Sequence, residues 1–353
     1  MAGRGWRELK QVSLRAIKSL GGFHLLLDSA WRRKRLLILC YHGVSLADEH
    51  EWNPSLYMPP AALGRRLEML RASRCAVLPL GDAVQRLYAG TLPARSVVVT
   101  FDDGYFDFYQ QAYPLLRQFD IPATVYLTTL RCGNRSPIFR LVCAYLLWKA
   151  RGRVVHVDAG LNGEPVAWDL RTDTGRANAL RAVVAESERA ALDIDGKDRL
   201  AARLASWLGV DYDEIVSRRM LTIMTPDEVR TLSAAGVDFQ LHTHSHNTPS
   251  ESDRFGREIA LNRDVIQTMT GRRATHFCYP SGAYRPEFLP WLAGAEVVSA
   301  TTCDPWLASD RTNPLLLPRF VDGTGRSAVE FEGWVSGAAT LLSKHRSYAH
   351  AAD

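Results

Sequence analysis

Apolar positions along the chain fall into two alternating patterns. "LLILCYHG" from Leu36, "SVVVTFDDG" from Ser96 and "PATVYLT" from Pro122 are short, nearly continuous apolar runs, as expected of strands buried on both faces. Between them, "PAALGRRLEMLRAS" and "LGDAVQRLYAG" over residues 60–92, and then "YQQAYPLLRQFD", place apolar residues three and four apart, with Gly90 as a stop. Strand–helix–strand repetition predicts a parallel sheet with crossover helices. The rhythm breaks over residues 131–220, which reads as an insertion. "PIFRLVCAYLLWKA", "GRANALRAVVAESERAAL" and "KDRLAARLASWLGV" are helical there, around a hairpin at Gly160–Gly163. The alternation resumes with the Thr-capped helix "TPDEVRTLSAAG", the strand "VDFQLHTHSH", the helix "EIALNRDVIQTMTG" and three strand candidates, "ATHFCYPSG", "EVVSATTC" and "LLLPRFVD".

Outside this core, residues 1–35 read as a basic amphipathic helix. Leu9, Val12, Ala16, Leu20 and Leu25–Leu27 stand among Arg4, Arg7, Lys10, Arg15 and Lys18, and Arg32-Arg33-Lys34-Arg35 closes the segment. Two readings stay open: a helix packed on the domain with a solvated basic face, or one lying on an anionic membrane surface. Residues 36–340 form the main domain, and 341–353 a polar tail.

Composition narrows the class. The chain has 353 residues, 46% hydrophobic and 23% charged, with a formal net charge of +5, which argues for a globular protein and against disorder. Its six cysteines include no C-x-x-C pair and read as reduced thiols, not a disulfide framework. The run "FHLLL" is too short for a secretory signal, and no stretch approaches the ~18–20 apolar residues of a membrane span. A cytoplasmic location is expected, with the N-terminal helix as the candidate for peripheral contact on the inner face of the membrane. No nucleic-acid partner is expected.

The candidate chemistry stands at the strand ends. One strand stops at His42, another at Asp102-Asp103, another at His242 with His246 four residues on, and another at Tyr279-Pro280-Ser281-Gly282. In parallel α/β folds the carboxyl edge of the strands is where ligands bind. Two histidines and a carboxylate make a metal site with open positions, and the H-x-x-x-H spacing would set both imidazoles on one side of a helical turn. One divalent ion is expected. Two imidazoles favour Zn2+, and Co2+, Ni2+ or Mn2+ would take the same ligands. The second aspartate is then free to act as a base.

"TFDDGYFDFYQQAYPLLRQFDIPATVYL", "HTHSH" and "FCYPSGAY" resemble the first three motifs of the polysaccharide deacetylases, the NodB-homology family of carbohydrate esterases, over about Leu36 to Asp322. The resemblance implies a distorted (β/α) barrel and metal-dependent removal of N-acetyl groups from an amino sugar in a polysaccharide, oligosaccharide or lipid-linked precursor. It implies Asp102 as general base, Asp103, His242 and His246 as metal ligands, and Tyr279 and Ser281 facing substrate, with the Ser281 N–H for the oxyanion. Three departures follow. Many members carry an arginine where this chain has Cys278, so Asp102 needs another partner; Arg319 is the candidate, a surface salt bridge the alternative. The usual late general-acid histidine has no counterpart on a strand. His345 and His350 fall in the polar tail, which leaves His42 as acid or as a histidine bonded to the metal shell. Third, the insertion is not part of the minimal domain and is expected to shape one side of the cleft. Two rival functions stay open: hydrolysis of another amide, such as a formamide or cyclic imide, and a non-catalytic carbohydrate-binding protein of the same fold.

Overall fold

The computed structural model describes residues 2–157, 160–161 and 163–343, with side chains from Glu8 onward. His345, His350 and the side chains of Arg4 and Arg7 lie outside the described residues.

Eight strands make one sheet: β1 (Leu37–Tyr41), β2 (Ala76–Val77), β3 (Ser96–Phe101), β4 (Thr124–Leu127), β5 (Asp238–Leu241), β6 (His276–Cys278), β7 (Ser299–Thr301) and β8 (Phe320–Val321). All the pairings are parallel, in the order β7-β6-β5-β4-β3-β1-β8, with β2 beside β3. Leu317 bridges Thr301 on β7, while Phe320, three residues on, pairs with Leu39 on β1. One stretch of chain thus touches both edges and curls the sheet into a distorted barrel.

Every residue of β1 and β3 is buried, which explains their unbroken apolar runs. Alternation splits them between two faces. Ile38, Val98, Tyr126 and Cys278 join the interior cluster, where the helix Leu80–Ala89 supplies Leu80, Ala83 and Leu87. Leu37, Leu39, Val97, Val99, Phe101, Leu127 and Phe277 face outward into the larger core beneath the surrounding helices. Two-residue steps along the inner face lead from Ile38 to Cys40 and His42, and from Val98 to Thr100 and Asp102. The polar strand ends therefore crown the barrel interior.

The chain between β4 and β5 builds a separate layer. It contains the helix Phe139–Lys149, an antiparallel hairpin (Val154–Val157 with Val166–Asp169), and the helices Asp173–Arg189, Ile194–Leu208 and Tyr212–Ser217. Thr172, Asp193 and Asp211 cap the last three through side-chain oxygens. An apolar cluster including Val142, Leu146, Val183 and Leu204 holds this layer together, and it includes Tyr57 of the barrel side. No described helix is long and apolar enough to cross a membrane.

The N-terminus differs from the single helix expected. It forms three, Ala2–Ser19, Gly22–Leu27 and Ala30–Arg33, docked on the helix Ala328–Ser336. Leu14, Phe23 and Leu27 are buried there. The four-residue basic run also splits. Arg32 is fully buried and donates to the carbonyls of Val335 (2.9 Å), Ser96 (3.1 Å) and Arg35 (2.6 Å), while Arg35 lies over the Trp31 ring at 4.2 Å. Only Arg33 and Lys34 of the four are exposed.

Candidate metal centre and active site

β3 runs into Asp102, the residue just past its end, whose N–H still donates to Tyr41 O at 2.9 Å, as in a strand. The chain then turns sharply. Asp103 has φ 68° and Gly104 φ 82°. A Cβ on Gly104 would lie 2.2 Å from Leu127 Cδ1, so only glycine fits this left-handed position against β4. The turn separates the two carboxylates. Asp102 keeps to the barrel interior, and Asp103 swings towards the loop after β5. Asp107 clamps the turn by accepting the Val44 N–H at 2.9 Å. Residues returning from the insertion lie across it, with the Phe106 N–H donating to Thr222 O (2.8 Å) and the Met224 N–H to Gly104 O (3.0 Å).

Asp103, His242 and His246 converge. Asp103 Oδ1 lies 3.2 Å from His242 Nε2 and 3.1 Å from His246 Nε2. His242 Nδ1 sits 2.9 Å from the Cys278 carbonyl, which can only accept, so Nδ1 carries the proton and Nε2 a lone pair. That lone pair faces a buried carboxylate oxygen with no well-aligned donor among the described residues. Lone pairs meeting at this distance require a cation or a proton between them, and the donor set suits a divalent metal. Two other groupings, Cys40-His42-Asp102 and Asp102-His242-Cys278, are equally compact. They fit a metal less well, because both depend on Asp102, which Arg319 already engages.

Asp102 is held by Arg319. Nη1 donates to Oδ1 at 2.7 Å and Nη2 to Oδ2 at 2.8 Å, in a bidentate pair with essentially no exposure on either side. Arg319 also donates to Thr302 O at 3.0 Å, and its Nη2 lies 2.9 Å from Cys278 Sγ. The guanidinium thus enters from the chain just before β8 and fills the space beside Cys278. Burial alone would raise the Asp102 carboxyl, but the charge and hydrogen bonds of Arg319 outweigh it and hold the group well below the usual carboxylate range. His42 stands at the rim, its Nε2 3.8 Å from Asp102 Oδ2, partly open to solvent.

The His242–His246 segment is not a helical turn. It is a loop in which Thr243 and His246 both have φ 60°, and this backbone, not i, i+4 helical spacing, brings the two rings together. His244 turns away and anchors the neighbouring loop: its carbonyl accepts from the Thr128 hydroxyl (3.0 Å) and the Leu130 N–H (2.8 Å), and its Nδ1 lies 2.9 Å from Thr129 Oγ1. Ser281 is exposed at φ 57° in the tight turn Pro280–Gly282. Tyr279 does not face the site. Cys278 points into the barrel, so alternation sends Tyr279 into the outer core, where its hydroxyl donates to Leu315 O at 3.0 Å and its ring meets Phe277 edge-on.

A family model described as polysaccharide deacetylase matches residues 89–145 and 205–297, which contain Asp102, Asp103, His242, His246 and Ser281. Over these residues the chain matches the polysaccharide deacetylase family. The break in the match falls within the added layer between β4 and β5. His42 and Arg319 lie outside the matched residues, so their placement rests on geometry. Bacillus subtilis YxkH, named for this family, is 30% identical over 112 residues, 30% of this chain and 38% of that one. The poly-beta-1,6-N-acetyl-D-glucosamine N-deacetylase of Escherichia coli K12 is 29% identical over 100 residues, 28% of this chain and 15% of that one. The matches thus span well under two thirds of these curated relatives. Among solved structures, Streptococcus pyogenes deacetylase PplD in complex with acetate superposes with a TM-score of 0.54 at 18% identity, covering 83% of this chain and 94% of its own. IcaB from Ammonifex degensii gives 0.51 at 15% identity, covering 88% and 97%. These likenesses show the shared barrel fold.

Cys40, Thr100 and Cys303, which line the Asp102–Arg319 pair, went unnoticed in the sequence. The signal was available for two of them: Cys40 is two residues before His42 and Thr100 two before Asp102, on the same inner face.

Proposed function

We propose that the chain is a metal-dependent N-deacetylase that hydrolyses the acetamide of an amino sugar to acetate and a free amine. The carrying observation is the convergence of Asp103, His242 and His246 beside the buried Asp102–Arg319 pair at one barrel mouth. Asp103 and the Nε2 atoms of His242 and His246 would hold the ion, with Zn2+ favoured by the imidazoles. When bound, the ion supplies positive charge that polarises the acyl oxygen and acidifies water. Asp102 takes the proton of the attacking water. Arg319 fixes its orientation, so the carboxylate is aimed before substrate arrives. The Ser281 N–H, held by a strained turn, faces the oxyanion as the acyl carbon becomes tetrahedral. His42 delivers the proton to the departing amine as the C–N bond breaks.

For the substrate, we favour a lipid-linked or nucleotide-linked precursor of a surface polysaccharide. Six free thiols suit a reducing compartment such as the cytoplasm. On the first helix, Leu9, Val12 and Ala16 form an exposed stripe continued by Leu20 (83% exposed) and Leu25 (76%), with Arg15, Arg33 and Lys34 also exposed. Apolar and basic groups side by side suit peripheral contact with an anionic leaflet. The function is tested by incubating metal-loaded protein with N-acetylated chitooligosaccharides and N-acetylglucosamine phosphates and assaying acetate. Release that disappears in Asp102→Asn supports the reading. Metal-loaded protein that releases acetate from none of them overturns it.

A further inference from the structure

A cavity of about 310 Å³ opens beside the metal centre. Asp103 and His246 form part of its wall, and Arg131, Arg140 and Leu141, from the start of the added layer, form another part. Asp103 is the only carboxylate lining it. We propose that Arg131 and Arg140 form an anion subsite that selects amino sugars carrying a phosphate or carboxylate group. The inference rests on the amino-sugar reading above and adds the substrate's charge to it.

The argument starts from what the arginines lack. Elsewhere, withdrawn guanidinium groups are matched: Arg66 pairs with Asp322, Arg219 with Glu228, Arg319 with Asp102, and Arg263 donates to two carbonyls. Arg131 is half-buried, yet no hydrogen bond or ion pair engages its guanidinium among the described residues. Burial lowers its pKa, and no acidic neighbour offsets that cost. Arg140 likewise has no partner among the described residues and shares the cavity. Two unpaired guanidinium groups in one concave wall are a ready complement to an oxyanion.

The backbone ties this wall to the chemistry. Arg131 follows Thr129 and Leu130, whose N–H groups both donate to the carbonyl of His244, between the two ligand histidines (3.2 and 2.8 Å). The Asn134 N–H closes the turn on Arg131 O at 2.9 Å. Arg140 sits in the first turn of the helix Phe139–Lys149, whose start is pinned by the Ile138 N–H on Leu221 O (2.8 Å). The cavity is of a size to hold about one sugar unit with its anion.

The test is calorimetric binding to the full, zinc-loaded chain, with three probes: N-acetylglucosamine, N-acetylglucosamine 1-phosphate and N-acetylmuramic acid. At least one charged sugar is expected to bind ~10-fold or more tighter than the neutral one, and the charged pair separates phosphate from carboxylate recognition. Arg131→Met/Arg140→Met should bring all three within ~3-fold at unchanged metal content, while Arg131→Lys should keep part of the preference. Equal binding of all three by the wild type overturns the proposal. So does a preference that survives in the double variant, which would put the anion on the metal. If the double variant does not fold, Arg140→Met alone, at an exposed helical position, is expected to lose at least ~3-fold of the preference; no loss overturns the subsite. Acetate release from the same probes reads the deacetylase function separately, since binding preference needs no turnover.

Discussion

Removing Arg319 should damage the protein in two separable ways. The guanidinium and Asp102 form two hydrogen bonds of 2.7 and 2.8 Å, with no exposure for one side chain and 3% for the other. Breaking such a buried pair leaves an uncompensated charge, at a cost of about 3–5 kcal/mol. Arg319→Met keeps much of the length and removes the charge; Asp102→Asn removes the other charge and keeps the shape. Each single variant should lose stability on that scale, and the double variant should lose clearly less than the sum, because neither charge is then stranded. Urea unfolding of the metal-loaded protein, followed by circular dichroism, gives the four corners of the cycle. The pH profile adds a second reading. A carboxyl held below its ordinary value of 3.8 contributes stability above that pH and loses it as pH falls through the lower, folded value. Wild-type Asp102 should therefore stay ionised from neutral pH to below pH 4. In Arg319→Met the largest influence opposing burial is gone, so the acid limb of kcat/KM should move upward, and kcat should fall by about 10²–10⁴ as the base loses its aim. Single-variant effects that add to within ~0.5 kcal/mol, or an unmoved acid limb, would refute the reasoning.

Further outcomes follow from the same geometry. Asp103→Ala, His242→Ala and His246→Ala should each strip bound zinc with circular dichroism retained, whereas Asp102→Asn should keep the metal and lose about 10²–10⁴-fold in rate; elemental analysis distinguishes the roles. Gly104→Ala puts a Cβ 2.2 Å from Leu127 at φ 82° and should cost at least about 1–3 kcal/mol in urea unfolding while loosening zinc. The intact chain should sediment with anionic but not neutral liposomes at low salt, each exposed basic residue contributing ~1 kcal/mol before screening, and Leu20→Glu/Leu25→Glu should release it. Equal binding to both liposome types would remove the membrane assignment.

Much of this was legible because parallel sheets write themselves plainly. The unbroken runs of β1 and β3 mark strands buried on both faces, and their polar last residues mark the mouth. Arg319 was harder to see, since it precedes a strand of only two residues, yet the gap at Cys278 called for it. The errors have identifiable causes. Sequence spacing could not reveal the positive φ of Thr243 and His246, so a loop passed for a helical turn. Tyr279 was placed by motif, although the alternation that turns Cys278 inward turns its neighbour outward. The N-terminal basic run looked uniform because burial of Arg32 under Val335 is a tertiary event. Arg131 and Arg140 carried no signal at all: their meaning comes from the partners they lack after folding.

The central claim is that three ligands from two strand ends, Asp103 after β3 and His242 and His246 after β5, hold one catalytic ion. The most direct test is to remove metal from the purified chain with chelator, add zinc in fractions of an equivalent, and assay acetate release from an N-acetylated amino sugar at each step. Activity should be absent at the start, rise linearly and stop rising at one ion per chain, and the Asp103→Ala variant should stay flat throughout. Acetate release that ignores added metal, or that proceeds equally in Asp103→Ala, would contradict the account.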